Sequence, residues 1–221
     1  MIFNPLDNPP YNRVFGLTGI MGSGKTTVAN LLEAKGALLI RADELARFVT
    51  TPDYEGFTNV KSKLEKALDP ISMQRFGESI FTDQYLNRQN TARLVFDDEN
   101  ALSILNKIVH QEVRSLFTDT VNKTSADKII VYDVPLLYET RIENLVKKVI
   151  VVYVPEEIAI NRALARTGLT REQIEKRLKR QISIEKKRKM ADYVIDNRED
   201  LEQLKIQIET LWKWLLKWKT I

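Results

Sequence analysis

Short apolar runs alternate with amphipathic segments along most of the chain. The runs that have the length of buried strands lie at 13–18, 37–40, 128–133, 148–154 and 193–195. Apolar residues at helical spacing predict helices at 25–35, 159–166 and 201–215. Alternation of this kind is typical of an α/β fold, in which a parallel sheet is built with right-handed crossovers. We therefore predict a five-stranded parallel sheet flanked by helices.

The segment from about residue 50 to residue 123 follows a different pattern. It contains no clear strand signal and predicts helices that are interrupted at Pro52, Pro70 and Gly77. The longest of them is predicted over Asp97–Phe117. Further on, Thr170 is followed three residues later by Gln173, which resembles a capping box and predicts the start of a long basic helix that runs to about Lys189.

The stretch Gly19-Ile-Met-Gly-Ser-Gly24-Lys25-Thr26 joins the first strand to the first helix. Its spacing, G-x-x-x-x-G-K-T, is that of the phosphate-binding loop of nucleotide enzymes. Gly19 and Gly24 are expected to allow the tight curl that points backbone N–H groups at phosphates, since glycine tolerates a positive φ and has no Cβ in the way. Lys25 can lie between the β- and γ-phosphates, and the Thr26 hydroxyl can bind Mg²⁺. The alternative is a chance match in a glycine-containing turn. The motif predicts nucleotide binding without naming the reaction.

Composition and charge narrow the class of protein. The 221 residues suit one α/β core with insertions, and 43% apolar residues are enough to form it. No cysteine is present, and a single histidine cannot build a zinc site. The net charge of +4 favours an anionic ligand. Residues 1–12 lack the apolar core of a signal peptide and no run is long enough to span a membrane, so we expect a cytoplasmic protein.

Two acidic residues follow predicted strands at the edge of the sheet where ligands bind in open α/β folds. Asp43 comes shortly after the second strand, where it can reach the same crevice as the phosphate loop, and its carboxylate is a candidate general base. Its alternative role is that of a helix N-cap. Asp133 ends the third strand, where an acid often supports Mg²⁺ through water. Its alternative role is a structural hydrogen bond.

Several motifs together resemble the dephospho-coenzyme A kinase family, over about residues 14–212. They are T-G-I-M-G-S-G-K-T-T at 18–27, A-D-E-L-A-R at 42–47, R-L-V-F at 93–96, V-P-L-L-Y-E at 134–139, Q-I-S-I-E-K-K-R at 181–188 and A-D-Y-V-I-D-N at 191–197. The resemblance implies that ATP phosphorylates the ribose 3′-hydroxyl of dephospho-coenzyme A, the last step of coenzyme A synthesis. It also implies a P-loop kinase core with a helical acceptor-binding insertion and a small lid. The corresponding segments are a tail at 1–12, a core at 13–50, 124–160 and 190–221, an insertion at about 51–123 and a lid at about 161–189.

The phosphate-loop motif, the strand-end positions and the resemblance together predict the roles of individual residues. The residues predicted to bind phosphate and ATP are Gly19, Gly22, Ser23, Gly24, Lys25, Thr26, Thr27 and Arg162. Catalysis falls to Asp43, Lys25 and Arg166, and acceptor binding to Arg93, His110, Pro135 and Leu136. Mg²⁺ is expected at Thr26 and, through water, at Asp133, with ATP as co-substrate. Glu139 is expected to fix backbone instead of touching substrate.

Three positions depart from the family pattern, which usually has an acid at Arg41, a glycine at Ile20 and a proline at Gln111. The change at Ile20 leaves the phosphate-loop glycines intact. The change at Arg41 weakens any role for an acid there, such as a water-mediated metal contact.

Several assignments keep an alternative. Arg162 and Arg166 could lie on a solvated helix face, and His110 could serve only its helix. Eight basic residues between Lys176 and Lys189 could bind RNA, although no aromatic residues are interleaved for base stacking. A lid helix that faces phosphate is the preferred interpretation. We expect no nucleic-acid, membrane or obligatory protein partner. The rival functions are another small-molecule P-loop kinase and a nucleotide-dependent RNA-binding or regulatory protein.

Overall fold

A computed structural model describes residues 9–96 and 98–219 of the chain. The strands are β1 (Val14–Gly19), β2 (Leu38–Arg41), β3 (Phe81–Thr82), β4 (Tyr85–Leu86), β5 (Ile130–Asp133), β6 (Lys148–Tyr153) and β7 (Tyr193–Asp196). The α-helices are α1 (Lys25–Ala34), α2 (Ala42–Phe48), α3 (Phe57–Phe76), α4 (Arg88–Phe96), α5 (Glu99–Lys123), α6 (Glu156–Thr167), α7 (Arg171–Leu178), α8 (Ile184–Met190) and α9 (Leu201–Lys219). Short 3-10 helices lie at Pro9–Arg13 and Glu143–Leu145.

A five-stranded parallel sheet forms the centre of the first compact unit, which comprises residues up to Arg41 and from Val121 onward. Its strand order is β2-β5-β1-β6-β7. All four pairings are parallel, so the predicted five-stranded parallel sheet is confirmed. Asp133 stands in register with Leu17 of β1 on one side and with Arg41 of β2 on the other. The carboxyl ends of β2 and β5 are therefore level, and β1 extends two residues further, to Gly19. The candidate site residues begin at these strand ends.

The core of this unit is built from apolar residues of the sheet and of the two helices that pack on it. Phe15, Leu17 and Ile150 of the sheet meet Leu32 of α1 and Leu211 of α9 in one buried cluster. Burying such side chains stabilises the fold by about 1.5–3 kcal/mol each. The predicted closing helix, α9, therefore packs on the sheet together with α1.

The second compact unit comprises residues 42–120 and is mainly helical. Its core is formed by Val60, Leu64 and Leu68 of α3 together with Leu94 and Ala101. The prediction of a break at Pro70 is wrong, because α3 continues through it to Phe76. Packing of the apolar stripe on α3 outweighs the roughly 3 kcal/mol that an internal proline costs.

We predicted no strands in this segment, and that prediction is also wrong. β3 and β4 pair as a short antiparallel hairpin, with Asp83 in the left-handed region between them. The Asp69 carboxylate accepts hydrogen bonds from the Ile80 N–H at 2.8 Å and the Ser79 hydroxyl at 3.0 Å. Strands of two residues are too short to show an alternating pattern. The longest helix begins at Glu99 and ends at Lys123, later at both ends than predicted.

The predicted basic helix up to Lys189 is two helices. The capping box at Thr170 and Gln173 is confirmed and starts α7, but α7 ends at Leu178. A second cap follows, because the Ser183 side chain accepts from the Lys186 N–H and starts α8.

Of the predicted N-terminal tail, residues 1–8 lie outside the described residues, and Tyr11 in the following 3-10 helix is 1% exposed. Among the described helices, none is both long enough and apolar enough to span a membrane.

Candidate active site

The phosphate loop begins where β1 ends and stops where α1 begins. The turn is closed by a hydrogen bond from the Ser23 N–H to the Ile20 carbonyl at 3.1 Å. Gly22 and Gly24 adopt φ of +80° and +86°, so they are the residues that need the freedom of glycine. Gly19 does not have a positive φ, and the second reason for a glycine, the missing Cβ, applies there. A Cβ at Gly19 would lie 2.6 Å from the Ser23 hydroxyl oxygen and 2.9 Å from the Val152 carbonyl oxygen, so space is the constraint.

Asn197 supports this loop from the end of β7. Its side-chain N–H donates to the Ser23 carbonyl at 2.8 Å, and its backbone carbonyl accepts from Arg162 at 2.8 Å. A Cβ at Gly24 would lie 2.1 Å from the Asn197 amide nitrogen. The sequence did not single out Asn197, although it ends the A-D-Y-V-I-D-N motif.

Lys25 and Asp133 form an ion pair across the ends of α1 and β5. Their side chains are 15% and 6% exposed, which shelters the pair from most of the solvent screening. Thr26 and Thr27 follow on the exposed first turn of α1. Arg41 turns toward the same helix and donates to the Asn30 side-chain oxygen at 2.9 Å.

The loop after β5 is held by buried polar contacts. The Pro135 carbonyl accepts from the Thr18 hydroxyl at 3.0 Å and from the Lys187 ammonium at 2.9 Å. Glu139 pairs with Lys187 and accepts from the Ile182 N–H at 2.8 Å. Glu139 therefore binds backbone, and the segment that it binds is the turn between α7 and α8. Leu136 is 40% exposed beside this network.

The two arginines of the predicted lid occupy different environments. Arg162 is bonded to Asn197, whereas Arg166 is exposed in the last turn of α6, before Gly168 in the left-handed conformation. Arg188 of α8 lies over the Tyr153 ring, with 4.5 Å between its guanidinium carbon and the ring centroid. A hydrogen bond from the Tyr153 hydroxyl to Glu185 raises the pKa of that tyrosine.

The remaining candidates belong to the helical unit. Asp43 is exposed in the first turn of α2, which begins at Ala42, so it lies inside the helix and not at its N-cap. Arg93 covers the Phe76 ring, with 3.9 Å between the guanidinium carbon and the ring centroid. His110 lies on α5. Burial of the His110 ring lowers its pKa, and the charge of Arg114 lowers it further.

Comparison with known proteins extends these observations. The family model for dephospho-CoA kinase matches residues 13–203. The chain belongs to the dephospho-CoA kinase family. A dephospho-CoA kinase of Carboxydothermus hydrogenoformans is 36% identical over 91% of this chain and 95% of its own length. One of Oceanobacillus iheyensis is 37% identical over 93% and 97%, respectively.

Solved structures agree with this family. A crystal structure from Thermus thermophilus has a TM-score of 0.70 and 31% identity, covering 91% of this chain and 97% of the other. The dephospho-CoA kinase from Campylobacter jejuni has a TM-score of 0.63 and 26% identity, covering 93% and 98%. The resemblance drawn from the sequence motifs is therefore confirmed, as is the P-loop kinase type of sheet. The dephospho-CoA kinase match includes both compact units and every candidate residue from Gly19 to Arg166.

Proposed function

We propose that this protein transfers the γ-phosphoryl group of ATP to the ribose 3′-hydroxyl of dephospho-coenzyme A and so forms coenzyme A. The observation that carries the proposal is the dephospho-CoA kinase match over residues 13–203, which reaches well beyond the phosphate loop that many families share. The names of the relatives support the acceptor. In the transfer, the 3′-oxygen forms a bond to the γ-phosphorus, the bond to the β–γ bridging oxygen breaks, and ADP leaves.

In this proposal the phosphates bind at Gly19, Gly22, Ser23, Gly24, Lys25, Thr26 and Thr27. The N-terminus of α1 carries partial positive charge and has no side-chain cap at Gly24, which suits an anion. Lys25 pairs with Asp133, which holds its ammonium group at the start of α1. In this proposal the phosphate oxygens of ATP are further partners of that ammonium.

Mg²⁺ fits the oxygen donors at the end of the loop. This ion usually binds one or two protein ligands and takes its others from water and substrate phosphates. The candidates are the Thr26 hydroxyl, in the first turn of α1, and the Asp133 carboxylate, which pairs with the neighbouring Lys25. The ion would supply charge neutralisation on the β- and γ-phosphates.

Asp43 is our candidate for the group that takes the proton from the 3′-hydroxyl. It is a carboxylate two residues after the end of β2, and it is exposed to solvent and thus to a ligand. Arg166 would stabilise charge on the transferring phosphoryl group, and Arg162 would line the ATP site next to Asn197. Acceptor binding is proposed for Pro135, Leu136, Arg93 and His110. The cytoplasmic location and the lack of other partners stay predictions.

The deciding experiment detects the reaction product directly. Purified protein is incubated with Mg²⁺, ATP and dephospho-coenzyme A, and coenzyme A is detected by mass spectrometry as a gain of one phosphate. Lys25→Ala is expected to lower kcat/KM by roughly two to four orders of magnitude, about 3–5 kcal/mol. A folded protein that binds ATP and makes no coenzyme A would refute the acceptor, and screening other small-molecule alcohols would then test the rival P-loop kinase function.

The RNA-binding alternative has less support. The basic run is split between α7 and α8, and Lys187 within it is fully buried. It therefore does not form one continuous cationic surface for a phosphate backbone.

A further inference from the structure

Lys187 is a buried charge that the transfer reaction as described above does not use. Its side chain is 0% exposed, whereas Lys186 and Lys189 on the same helix are exposed. Removing an ammonium group from water costs several kcal/mol unless other groups compensate for it. The position of Lys187 therefore depends on the partners that surround it.

Those partners lie in one segment, the loop after β5. The Lys187 nitrogen lies 2.9 Å from a Glu139 carboxylate oxygen and 2.9 Å from the Pro135 carbonyl oxygen, both in the loop after β5. Glu139 also accepts from the Ile182 N–H at 2.8 Å. The loop after β5 is thus tied both to α8 and to the turn in front of it.

The Pro135 carbonyl is also bound from the side of the phosphate loop. Thr18, which immediately precedes Gly19, donates its hydroxyl to the same carbonyl at 3.0 Å. The side chains of Thr18 and Lys187, the two donors, are both fully buried. Pro135 itself follows Asp133, the partner of Lys25, by two residues.

The charges around Lys187 are consistent with this location. Burial lowers its pKa, the carboxylate of Glu139 opposes that change, and the positive charge of Lys25 adds to the lowering.

We propose that Lys187 is a positioning residue for phosphoryl transfer, which holds the Pro135 carbonyl and thereby fixes the loop after β5 beside the phosphate loop. The inference rests on the proposed function, since its effect is on the transfer step. Misplacing reacting groups by about 1 Å can lower a rate by roughly 100-fold. The effect should therefore appear in kcat more than in the binding of ATP.

A purely structural role makes a different prediction, and a pair of variants separates the two. Lys187→Met replaces the ammonium-bearing side chain with an apolar one of similar length. It leaves the Glu139 carboxylate without its ion-pair partner. Combining it with Glu139→Gln removes both charges, while the glutamine oxygen can still accept from the Ile182 N–H. Replacing both members of a buried ion pair is often neutral for stability. The double variant should therefore regain stability, but its Pro135 carbonyl still lacks the ammonium.

The experiment measures kcat, KM for ATP and thermal unfolding for the wild type, both single variants and the double variant, with dephospho-coenzyme A as acceptor. We expect the double variant to unfold close to the wild-type temperature, yet to lose at least about tenfold in kcat while KM for ATP changes less than about threefold. Lys189→Met, the same change at an exposed position of α8, is the control and should behave as wild type.

Two results would overturn the inference. A stable double variant with wild-type kcat would assign the pair to folding alone, and so would a double variant whose kcat falls only in proportion to its folded fraction. A wild-type protein that makes no coenzyme A would instead refute the proposed function, so the two failures are distinguishable.

Discussion

Arg41 occupies the carboxyl end of β2, in register with Asp133 on the neighbouring strand. Adjacent strands lie about 4.8 Å apart, so an acid at this position would stand beside the candidate Mg²⁺ ligand. Arg41→Asp should therefore lower the Mg²⁺ concentration that gives half-maximal rate. Titration of Mg²⁺ at saturating ATP and dephospho-coenzyme A measures this midpoint.

Lys213→Asp on α9 makes the same change in charge away from the strand ends and is the control for long-range electrostatics. If both variants move the midpoint equally, or if neither moves it, position 41 has no specific part in metal binding.

A single substitution can distinguish a catalytic role of Asp43 from a purely structural role in helix α2. Asp43→Asn keeps the size of the side chain but cannot accept the proton, so kcat should fall by roughly two to four orders of magnitude. The affinity for ATP and the melting temperature should stay near wild type. Steady-state kinetics, ATP titration and thermal unfolding of this variant are the measurements.

Glu44→Gln is the matched control, because it removes the same charge from the same helical turn. A carboxylate in the first turn of a helix stabilises it by about 0.3–1 kcal/mol, and both variants should lose a similar amount. If Asp43→Asn kept its turnover and lost only this stability, Asp43 would be no more than a favourable charge at the start of α2.

At the scale of elements, the capping box of α7 is a local device whose effect can be isolated. The Thr170 hydroxyl accepts from the Gln173 N–H at 3.3 Å, and the Gln173 side chain accepts from the Thr170 N–H at 2.9 Å. Thr170→Ala should destabilise α7 by about 1 kcal/mol, which corresponds to roughly fivefold faster exchange of its amide protons. Hydrogen exchange read by mass spectrometry measures this.

Thr170→Ser retains a hydroxyl and should keep the slower exchange. Faster exchange throughout the chain in Thr170→Ala would contradict a local role, because the cap would then support the whole fold.

The elements that the sequence predicted best are those whose pattern is repeated over several residues. β1, β5 and β6 are continuous apolar runs because both faces of a parallel sheet are covered, and the stripe of α9 repeats over four turns. The hairpin of β3 and β4 has only two residues in each strand, which is too short for an alternating pattern to show in the sequence. The break between α7 and α8 depends on Ser183, a cap that the surrounding basic residues obscured.

The same limit applies to the site. Gly22, Gly24 and Lys25 could be predicted, because the phosphate loop is one contiguous motif. Asn197 could not, since its contact with Ser23 joins residues from opposite ends of the chain. Lys187 was hidden among similar residues. Lys187 lies three residues after the buried Ile184, and this spacing places both on the inner face of α8. The spacing is informative only once α8 is known to begin at Ile184, after the Ser183 cap.

At the scale of the whole molecule, all three tryptophans lie on α9 and report on the unit that contains the phosphate loop. Trp214 contacts Phe15 and Tyr193, with ring centroids 6.1 and 5.0 Å apart. ATP at about 100 times its Kd should stabilise this unit by about 2.7 kcal/mol, because it binds only the folded state. The fluorescence-detected melting temperature should rise by roughly 5–10 °C.

In Lys25→Ala the same ATP concentration should give a much smaller rise, since affinity for the phosphates is reduced. An equal rise in both proteins would show that ATP stabilises the chain at another site.

The strand order has a consequence for a chain that leaves the ribosome N-terminus first. β5 lies between β2 and β1 in the sheet but is synthesised after the whole of residues 42–120. Nascent β1 and β2 therefore lack the strand that joins them, while the helical unit, which is rich in local contacts, can form as soon as it emerges. We expect the middle of this protein to fold first, and the phosphate loop to acquire its supporting strands only when the second half of the chain has been translated.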